Sequence, residues 1–88
     1  RQTMSDLKSQ FEQAQKDVKG LSERPSDDDM LALYALYNQA TAGDVSGDKP
    51  GMFDFVGRAK HEAWSELTGT DADTAMQNYI DKVKALTG

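Results

Sequence analysis

The sequence predicts an all-α domain built from four helices. Apolar residues recur at three- and four-residue spacing in four separate segments, and no segment shows the alternation of a half-buried strand. Gly, Pro, Ser and Asp cluster between these segments, where they favour turns. With 88 residues, the chain is long enough for one domain with one modest core.

The first two helices are indicated by their apolar faces and by the residues at their ends. The first is predicted to have Ser5 as its N-cap and to end at Gly20. The second is predicted to begin after the N-cap Ser26, with Asp29 in the capping-box position three residues later. Their apolar faces hold Leu7, Phe11, Ala14, Val18 and Leu21 in the first, and Met30, Leu33, Leu36, Tyr37 and Ala40 in the second.

The last two helices follow a long irregular segment. The third is predicted to run from about Asp54 to Leu67, where Gly69 ends it. The fourth is predicted to be capped by Thr70 and Asp73. It has the clearest helical stripe in the chain, formed by Ala72, Ala75, Met76, Tyr79, Ile80, Val83 and Leu86.

The segment "TAGDVSGDKPGM" is predicted to be a loop, because it contains three glycines and a proline. Loops of this length in a compact domain often carry function. Asp44, Ser46 and Asp48 have the spacing of ligands in a calcium-binding loop. However, Lys49 stands where such a loop requires Gly, and Phe55 stands where it requires a bidentate Glu. An EF-hand is therefore not expected, and these acids are predicted to be loop and cap residues.

Composition excludes several classes of function. Fifteen acids and ten bases give a net charge of −5, which argues against general affinity for nucleic acid or an anionic membrane, although a local basic site is still possible. The absence of cysteine excludes disulfides and thiolate chemistry. Without a spanning apolar run or a signal peptide, a cytoplasmic location is predicted. Residues 1–4 are predicted to be a flexible or processing remnant, and residues 5–88 to form the domain.

Catalytic and metal-binding hypotheses find little support. A di-iron bundle needs Glu-x-x-His pairs, but the single histidine, His61, follows Arg58 at that spacing. No serine or threonine is placed beside His61 to act as a nucleophile, so it is expected to be an ordinary surface residue. No metal site is predicted, and the protein is not expected to be an enzyme.

The polar and aromatic candidates each have two interpretations from the pattern alone. Tyr34, Tyr37 and Asn38 are neighbours on the second helix, where tyrosines bordering a core are more often packing residues than a binding rim. Lys60 lies beside the apolar stripe of the third helix and is more often a solvated lysine. Tyr79 is near the middle of its stripe and is predicted to be in the core.

Three segments carry a resemblance to a known family. "RPSDDDMLALYALYNQATAGD", "KPGMFDFVGRAKHEAWSEL" and "AMQNYIDKV", in this order and spacing, resemble the acyl-CoA-binding protein family from about Ser9 to Leu86. The resemblance implies four helices in a skewed up-down-down-up bundle with an open bowl, and a long loop between the second and third. It also implies a fatty acyl thioester of coenzyme A as the ligand.

The resemblance also implies roles for individual residues. Tyr34 and Lys60 match the pair that holds the 3′-phosphate of the nucleotide, and Tyr37 matches the residue that lies against the adenine. Three positions depart from the family pattern: Asn38 and Val56 stand where lysine is usual or frequent, and His61 stands where tryptophan is common, so a weaker hold on the 3′-phosphate is expected. The resemblance further implies that Phe11, Gln15 and Met30 lie near the acyl chain, that Tyr79 also lines the site, and that Lys19 is a basic residue at its rim.

The function that this resemblance implies is non-covalent binding of medium- to long-chain fatty acyl-CoA esters. The protein would act as a monomeric intracellular carrier and pool former, with no cofactor and no stable membrane insertion. The alternative is a helical protein–protein interaction module with a weakened ligand site. A thioesterase is a third option, which no nucleophile–base pair in the sequence supports.

Overall fold

A computed structural model of the chain describes residues 4–47 and 50–87, with side chains from residue 6 onward. It contains four helices, and the described residues include no strand, which confirms the predicted fold class. The prediction for residues 1–4 falls partly outside the described residues, and the first helix begins at Met4. The helices are α1 (Met4–Lys19), α2 (Asp27–Ala42), α3 (Phe55–Ser65) and α4 (Ala72–Thr87).

Two of the predicted helix ends are confirmed by hydrogen bonds. The hydroxyl of Ser26 accepts a bond from the backbone N–H of Asp29 at 3.1 Å, as expected of an N-cap. The Asp29 carboxylate instead forms an ion pair with Lys82 on α4 at 2.5 Å. Asp54 caps α3, because its carboxylate accepts from the backbone N–H of Gly57 at 3.0 Å.

Three other predicted ends are wrong. Ser5 is not an N-cap, since α1 already begins one residue before it. α3 ends at Ser65, two residues earlier than predicted. Thr70 does not cap α4; Asp71 does, and its carboxylate accepts from both the backbone N–H and the hydroxyl of Thr74. Aspartate and threonine are both good N-caps, and adjacent candidates cannot be separated by propensity alone.

Contacts between helices establish the up-down-down-up topology. α1 runs in the same direction as α4, because Phe11 in mid-α1 meets Tyr79, and Gly20 just after α1 lines a pocket with Leu86 near the end of α4. α4 packs against both α1 and α2, and α2 packs in turn against α3. Tyr34 meets Lys60, and Gly43 after the end of α2 accepts a hydrogen bond from the indole N–H of Trp64 at 2.8 Å. Residues later in α2 therefore meet residues later in α3, so these two helices run in the same direction.

In contrast, α2 and α4 run in opposite directions. Asp29 at the start of α2 pairs with Lys82 late in α4, whereas Gln39 near the end of α2 donates to the backbone carbonyl of Thr70, just before α4 begins. The two helices are therefore antiparallel. The result is a flattened bundle with principal extents of 44 × 30 × 15 Å, in which α3 lies at one edge.

The core lies where α1, α2 and α4 meet. Phe11 is at its centre, with its ring edge-on to Tyr79 at a centroid distance of 5.0 Å. The predicted stripes of α1 and α4 supply most of the core, but exposed Ala72 does not belong to it. In α2, the predicted Met30 and Tyr37 are exposed. The buried apolar residues are Leu7, Phe11, Ala14, Leu33, Ala35, Leu36, Ala40, Ala75, Tyr79, Ile80 and Val83.

A buried glutamine holds the long loop in place. Gln39 is 1% exposed, and its amide donates to the carboxylate of Asp44 and to the backbone carbonyl of Thr70, each at 2.8 Å. Asp44 also accepts from the backbone N–H of Gly69 at 2.9 Å, and Gly69 has a positive φ of 92°, which glycine adopts without strain. Asp44 therefore joins the loop after α2 to the loop before α4, whereas Asp48 and Lys49 lie outside the described residues.

Candidate functional site

The main candidate site is a cavity of about 510 Å³ between α2 and α3, here called the α2–α3 cavity. α2 contributes Met30 and Tyr34, which are four residues apart and therefore share one face of the helix. α3 contributes Val56 and Lys60 at the same spacing. The complete lining is Arg24, Asp27, Met30, Leu31, Tyr34, Phe55, Val56, Ala59 and Lys60. The cavity therefore combines an apolar wall with a few polar groups at its edge, as is usual for small-molecule sites.

Lys60 and Tyr34 form the polar edge of this cavity. The Lys60 ammonium lies 5.0 Å from the centroid of the Tyr34 ring, within the range of a cation–π interaction. Within residues 4–47 and 50–87, no carboxylate pairs with Lys60. Its charge is thus held at the edge of the cavity by an uncharged partner, which leaves it available to an anionic ligand.

A second, smaller cavity of about 400 Å³ lies among α1, α2 and α4. Phe11, Gln15 and Tyr37 line it, with the rings of Phe11 and Tyr37 stacked at a centroid distance of 5.9 Å. Tyr37 is half-exposed, whereas Phe11 lies mostly beneath it in the core. The predicted site residues are therefore divided between two neighbouring cavities: four line the α2–α3 cavity and three line this one.

The remaining three predicted site residues line neither cavity. Lys19 is exposed in the last turn of α1. The amide nitrogen of Asn38 is buried and has no hydrogen-bond partner among the described residues. Tyr79 is in the core, as the pattern alone predicted; burial, together with the nearby Tyr37, raises the pKa of its phenol, so the ring stays neutral. Ligand roles for these three residues stay predictions.

His61 is not the ordinary surface histidine that the sequence predicted. The residue is partly buried, and both ring nitrogens are inaccessible to solvent and without a hydrogen-bond partner among the described residues. A ring held in this way is poorly placed to exchange protons with a substrate. In the described part of the chain, no group of three or more His, Cys, Asp or Glu residues could hold a metal ion.

Several residues of the α2–α3 cavity were not predicted from the sequence. Leu31 and Ala59 are small or apolar residues without a distinctive chemical group, and the sequence pattern predicted no ligand role for Phe55. A signal was present, because Phe55 and Ala59 are four residues apart and border Val56 and Lys60 on the same face. Arg24 and Asp27, which form an ion pair of 3.6 Å, were also missed at the far end of the cavity.

Comparison with known proteins places this geometry in a family. The family model described as Acyl CoA binding protein matches residues 8–83. The chain belongs to the acyl-CoA-binding protein family. It is 49% identical over 80 residues to the acyl-CoA-binding protein of Brassica napus, covering 91% of this chain and 87% of that protein. It is 48% identical over 77 residues to the acyl-CoA-binding protein homolog of Drosophila melanogaster, covering 88% of this chain and 90% of that protein.

Solved structures of acyl-CoA-binding proteins have the same fold. The crystal structure of acyl-CoA-binding protein 2 from Oryza sativa superposes with a TM-score of 0.87 at 41% identity, covering 92% of this chain and 90% of that one. The solution structure of the yeast acyl coenzyme A binding protein gives a TM-score of 0.69 at 46% identity, covering 86% and 88%. No helix in the described part of the chain is both long and apolar enough to cross a membrane.

Proposed function

We propose that this protein binds medium- to long-chain fatty acyl-CoA esters without a covalent bond and serves as an intracellular carrier and pool former. The observation that carries the proposal is the α2–α3 cavity of a family member, in which an apolar wall ends at a lysine that pairs with no carboxylate among the described residues. An acyl-CoA ester has the same two parts, since a hydrocarbon chain is joined to a nucleotide bearing phosphate groups.

The apolar wall of the cavity is assigned to the acyl chain. Met30, Leu31 and Val56 present hydrocarbon surface on opposite sides of the α2–α3 cavity. Burying each methylene of a ligand there contributes about 0.8 kcal/mol. A chain of several methylenes therefore supplies most of the binding free energy, and this term needs no exact complementarity of polar groups.

The aromatic and cationic groups are assigned to the nucleotide. Lys60 and Tyr34 are close enough for a single phosphate to contact both the ammonium and the phenol. Tyr37 is exposed beyond them and offers a flat ring for the adenine. Phe11 beneath Tyr37 fixes the plane of that ring by stacking, which lowers the entropy lost when a ligand binds.

The departures from the family pattern favour a weaker hold on the phosphate. Val56 places an uncharged side chain beside the cavity, and the buried amide nitrogen of Asn38 is turned away from solvent. A lost charge-assisted hydrogen bond costs about 1.5–3 kcal/mol, or roughly one to two decades in affinity. The acyl chain is therefore expected to dominate recognition in this member of the family.

No catalytic step is proposed. The chain has no cysteine, and the ring nitrogens of His61 are inaccessible in the described structure. Binding and release of an intact thioester require only the cavity and its charged edge, so the proposed carrier needs no cofactor. We also propose that the protein acts as a monomer, because one chain supplies every residue of the α2–α3 cavity, and that it works in the cytoplasm.

The direct test is calorimetric titration with a long-chain acyl-CoA, free coenzyme A and a neutral detergent of similar chain length. Saturable one-to-one binding of the acyl-CoA, with weaker binding of coenzyme A and of the detergent, is expected. Equal affinity for the detergent would contradict nucleotide recognition and favour a generic apolar surface. Chromatography of the mixture after incubation should recover the thioester intact. Hydrolysis of the thioester would contradict the proposal that the protein only binds and releases it.

A further inference from the structure

The long loop ends in a turn whose tip carries two exposed apolar side chains. The backbone N–H of Asp54 donates to the carbonyl of Gly51 at 3.0 Å, which closes a four-residue turn with Met52 and Phe53 at its two central positions. Met52 is 71% exposed and Phe53 is 85% exposed. Such positions usually hold Gly, Pro, Asn, Asp or Ser, so a methionine and a phenylalanine there need a separate explanation.

These two side chains continue into the first turn of α3. Phe55 is 73% exposed and Val56 is 65% exposed, so four of five consecutive residues are large, apolar and largely in solvent. Single exposed apolar residues are ordinary, but a contiguous group of them indicates a contact surface. We call residues 52, 53, 55 and 56 the apolar tip.

Hydrogen bonds fix the backbone of the apolar tip. The Asp54 carboxylate that caps α3 through Gly57 belongs to the same residue that closes the turn, so turn and helix form one unit. Arg58 on the next turn of α3 places a guanidinium nitrogen 3.5 Å from the carbonyl oxygen of Met52. A preformed tip loses little conformational entropy when it enters another medium.

Charge is distributed unevenly around the tip. Residues 49–60 contain three bases and one acid, whereas the rest of the chain contains seven bases and fourteen acids. Of these bases, Arg58 and Lys60 are on α3 beside the tip, and the one acid, Asp54, is engaged as the helix cap. Within residues 49–60 the bases thus outnumber the acid, although Asp48 and Glu62 stand just outside this segment and the protein as a whole is acidic. The net charge alone is therefore a poor guide to the affinity of the tip for anionic surfaces.

We propose that the apolar tip docks the protein reversibly on a lipid bilayer that carries anionic headgroups, with Met52 and Phe53 inserted among the acyl chains and the flanking bases at the headgroup level. A convex tip of a few side chains is suited to a fluid bilayer, because a protein partner of ordinary affinity needs about 800 Å² of complementary surface on each side. Apolar insertion and attraction to anionic lipid are the two contributions that hold peripheral proteins at membranes.

Docking at this point deepens the proposed function and rests on it. Phe55 and Val56 belong both to the tip and to the lining of the α2–α3 cavity. A fatty acyl chain dissolved in the bilayer can therefore move along continuous apolar surface from the membrane into the cavity. Transfer by this route avoids exposing the whole chain to water, which costs about 0.8 kcal/mol for each methylene.

Vesicle flotation without any acyl-CoA tests the docking independently of ligand binding. The unmodified protein is expected to float with vesicles of equimolar phosphatidylcholine and phosphatidylserine and to bind pure phosphatidylcholine vesicles more weakly. Phe53→Ser should reduce flotation at least about tenfold, and Phe53→Leu should restore most of it. Equal flotation of the unmodified protein and Phe53→Ser would overturn the assignment of the tip, as would no flotation of the unmodified protein.

A pair of charge variants tests the basic flank. Arg58→Ser and Lys84→Ser change the net charge equally, but Lys84 is exposed near the end of α4. Arg58→Ser is expected to weaken flotation with the anionic vesicles about fivefold, and Lys84→Ser by much less. Equal effects would show that net charge, and not the flank of the tip, governs binding.

Stopped-flow transfer of a fluorescent long-chain acyl-CoA from equimolar phosphatidylcholine–phosphatidylserine vesicles tests the route. Transfer on contact predicts a rate that rises with protein concentration, and Phe53→Ser should lower it to the concentration-independent rate of release into water. The affinity of Phe53→Ser for acyl-CoA in solution should be unchanged, because Phe53 does not line the α2–α3 cavity. A rate independent of protein concentration would overturn the proposed route, whereas failure of the solution titration would overturn the proposed function itself.

Discussion

The ammonium group of Lys60 lies 5.0 Å from the centroid of the Tyr34 ring, at the edge of the α2–α3 cavity. The pair joins two parallel helices, which are also linked by the hydrogen bond from the Trp64 indole to the carbonyl of Gly43. A cation–π contact at a partly exposed site is worth about 0.5–1 kcal/mol, enough to fix the lysine but little enough for a stronger anionic partner to replace it. The geometry therefore favours a lysine that is free to bind a phosphate group of the ligand.

Replacing Lys60 with alanine tests that role. Lys60→Ala is expected to weaken acyl-CoA binding about 10- to 100-fold, because a charge-assisted hydrogen bond contributes about 1.5–3 kcal/mol. Calorimetry should show a much smaller loss for an acyl-CoA that lacks the 3′-phosphate. Lys84→Ala on α4 removes the same charge away from the cavity and should leave both affinities nearly unchanged. Equal losses for the two ligands in Lys60→Ala would mean that Lys60 does not contact the 3′-phosphate.

Asn38→Lys is expected to strengthen acyl-CoA binding about tenfold, by restoring one charge-assisted hydrogen bond. Asn38 is four residues after Tyr34 on α2, and a lysine stem is long enough to carry its ammonium from this partly buried position to solvent. The measurement is again calorimetry, with Ala85→Lys on an exposed part of α4 as a control for added charge. An unchanged affinity in Asn38→Lys would mean that the site has adapted to the asparagine.

A series of acyl-CoA esters of increasing length tests the apolar wall. Each methylene buried in the α2–α3 cavity contributes about 0.8 kcal/mol, so two added carbons should tighten binding roughly tenfold until the cavity is full. Free coenzyme A should bind weakly, because it lacks this contribution. Calorimetry across the series checks the slope. An affinity that does not change with chain length would contradict an acyl-binding role for the cavity.

The sequence pattern was sufficient to predict the four helices and much of the core, but not to predict which faces of α2 are buried. α1 and α4 each present one apolar stripe to the core, so periodicity predicted Phe11 and Ile80 correctly. α2 packs against both α3 and α4, and so buries Ala35 and Gln39 outside the predicted arc while Tyr37 remains half-exposed. A helix with neighbours on two sides has no single apolar face that its own sequence could reveal.

The residues of the candidate site could not be predicted from local sequence patterns alone. Periodicity alone favoured a solvated Lys60 and a packing role for Tyr34, since neither α2 nor α3 specifies how the other helix packs against it. The family resemblance predicted that Tyr34 and Lys60 act together, and the structure places their side chains in contact. The buried environment of His61 could not be predicted, because it depends on which part of the bundle covers that side of α3.

Gln39→Leu is expected to destabilise the fold by about 1–3 kcal/mol. The substitution removes the two hydrogen bonds by which Gln39 holds Asp44 and Thr70, one of them to a charged group. Leucine also removes the carbonyl oxygen of Gln39, which lacks a hydrogen-bond partner among the described residues, and this partly offsets the loss. Urea unfolding followed by circular dichroism measures the change.

The matched control for Gln39→Leu is Gln13→Leu. Gln13 also donates its side-chain amide to an aspartate, Asp17 at 2.9 Å, but within one exposed face of α1. Pairs of this kind contribute about 0.2–0.5 kcal/mol, so Gln13→Leu should have a small effect on the unfolding midpoint. Similar effects of the two variants would mean that the Gln39 contacts add little to the stability of the fold.

Stability should fall in acid, and Asp44 should account for part of the fall. The backbone N–H of Gly69 and the amide of Gln39 donate to the Asp44 carboxylate and hold its pKa below the ordinary value of 3.8. A carboxyl whose pKa is lower in the folded state contributes stability that is fully present above 3.8 and is lost as pH falls through the folded pKa. The pKa of Asp71 is likewise lowered by hydrogen bonds from Thr74, and the pKa of Asp29 by its contact with Lys82.

Asp44→Asn is therefore expected to be less stable than the unmodified protein at neutral pH, with a difference that narrows as the pH falls below 3.8. Urea midpoints measured from neutral pH down into this acid range give the comparison. In a Gln39→Leu background, Asp44→Asn should have a smaller effect at neutral pH, because one of the donors that favours the charged carboxylate is already gone. A difference between Asp44→Asn and the unmodified protein that stays constant across the whole pH range would show that the asparagine acts through shape and not through the lost charge.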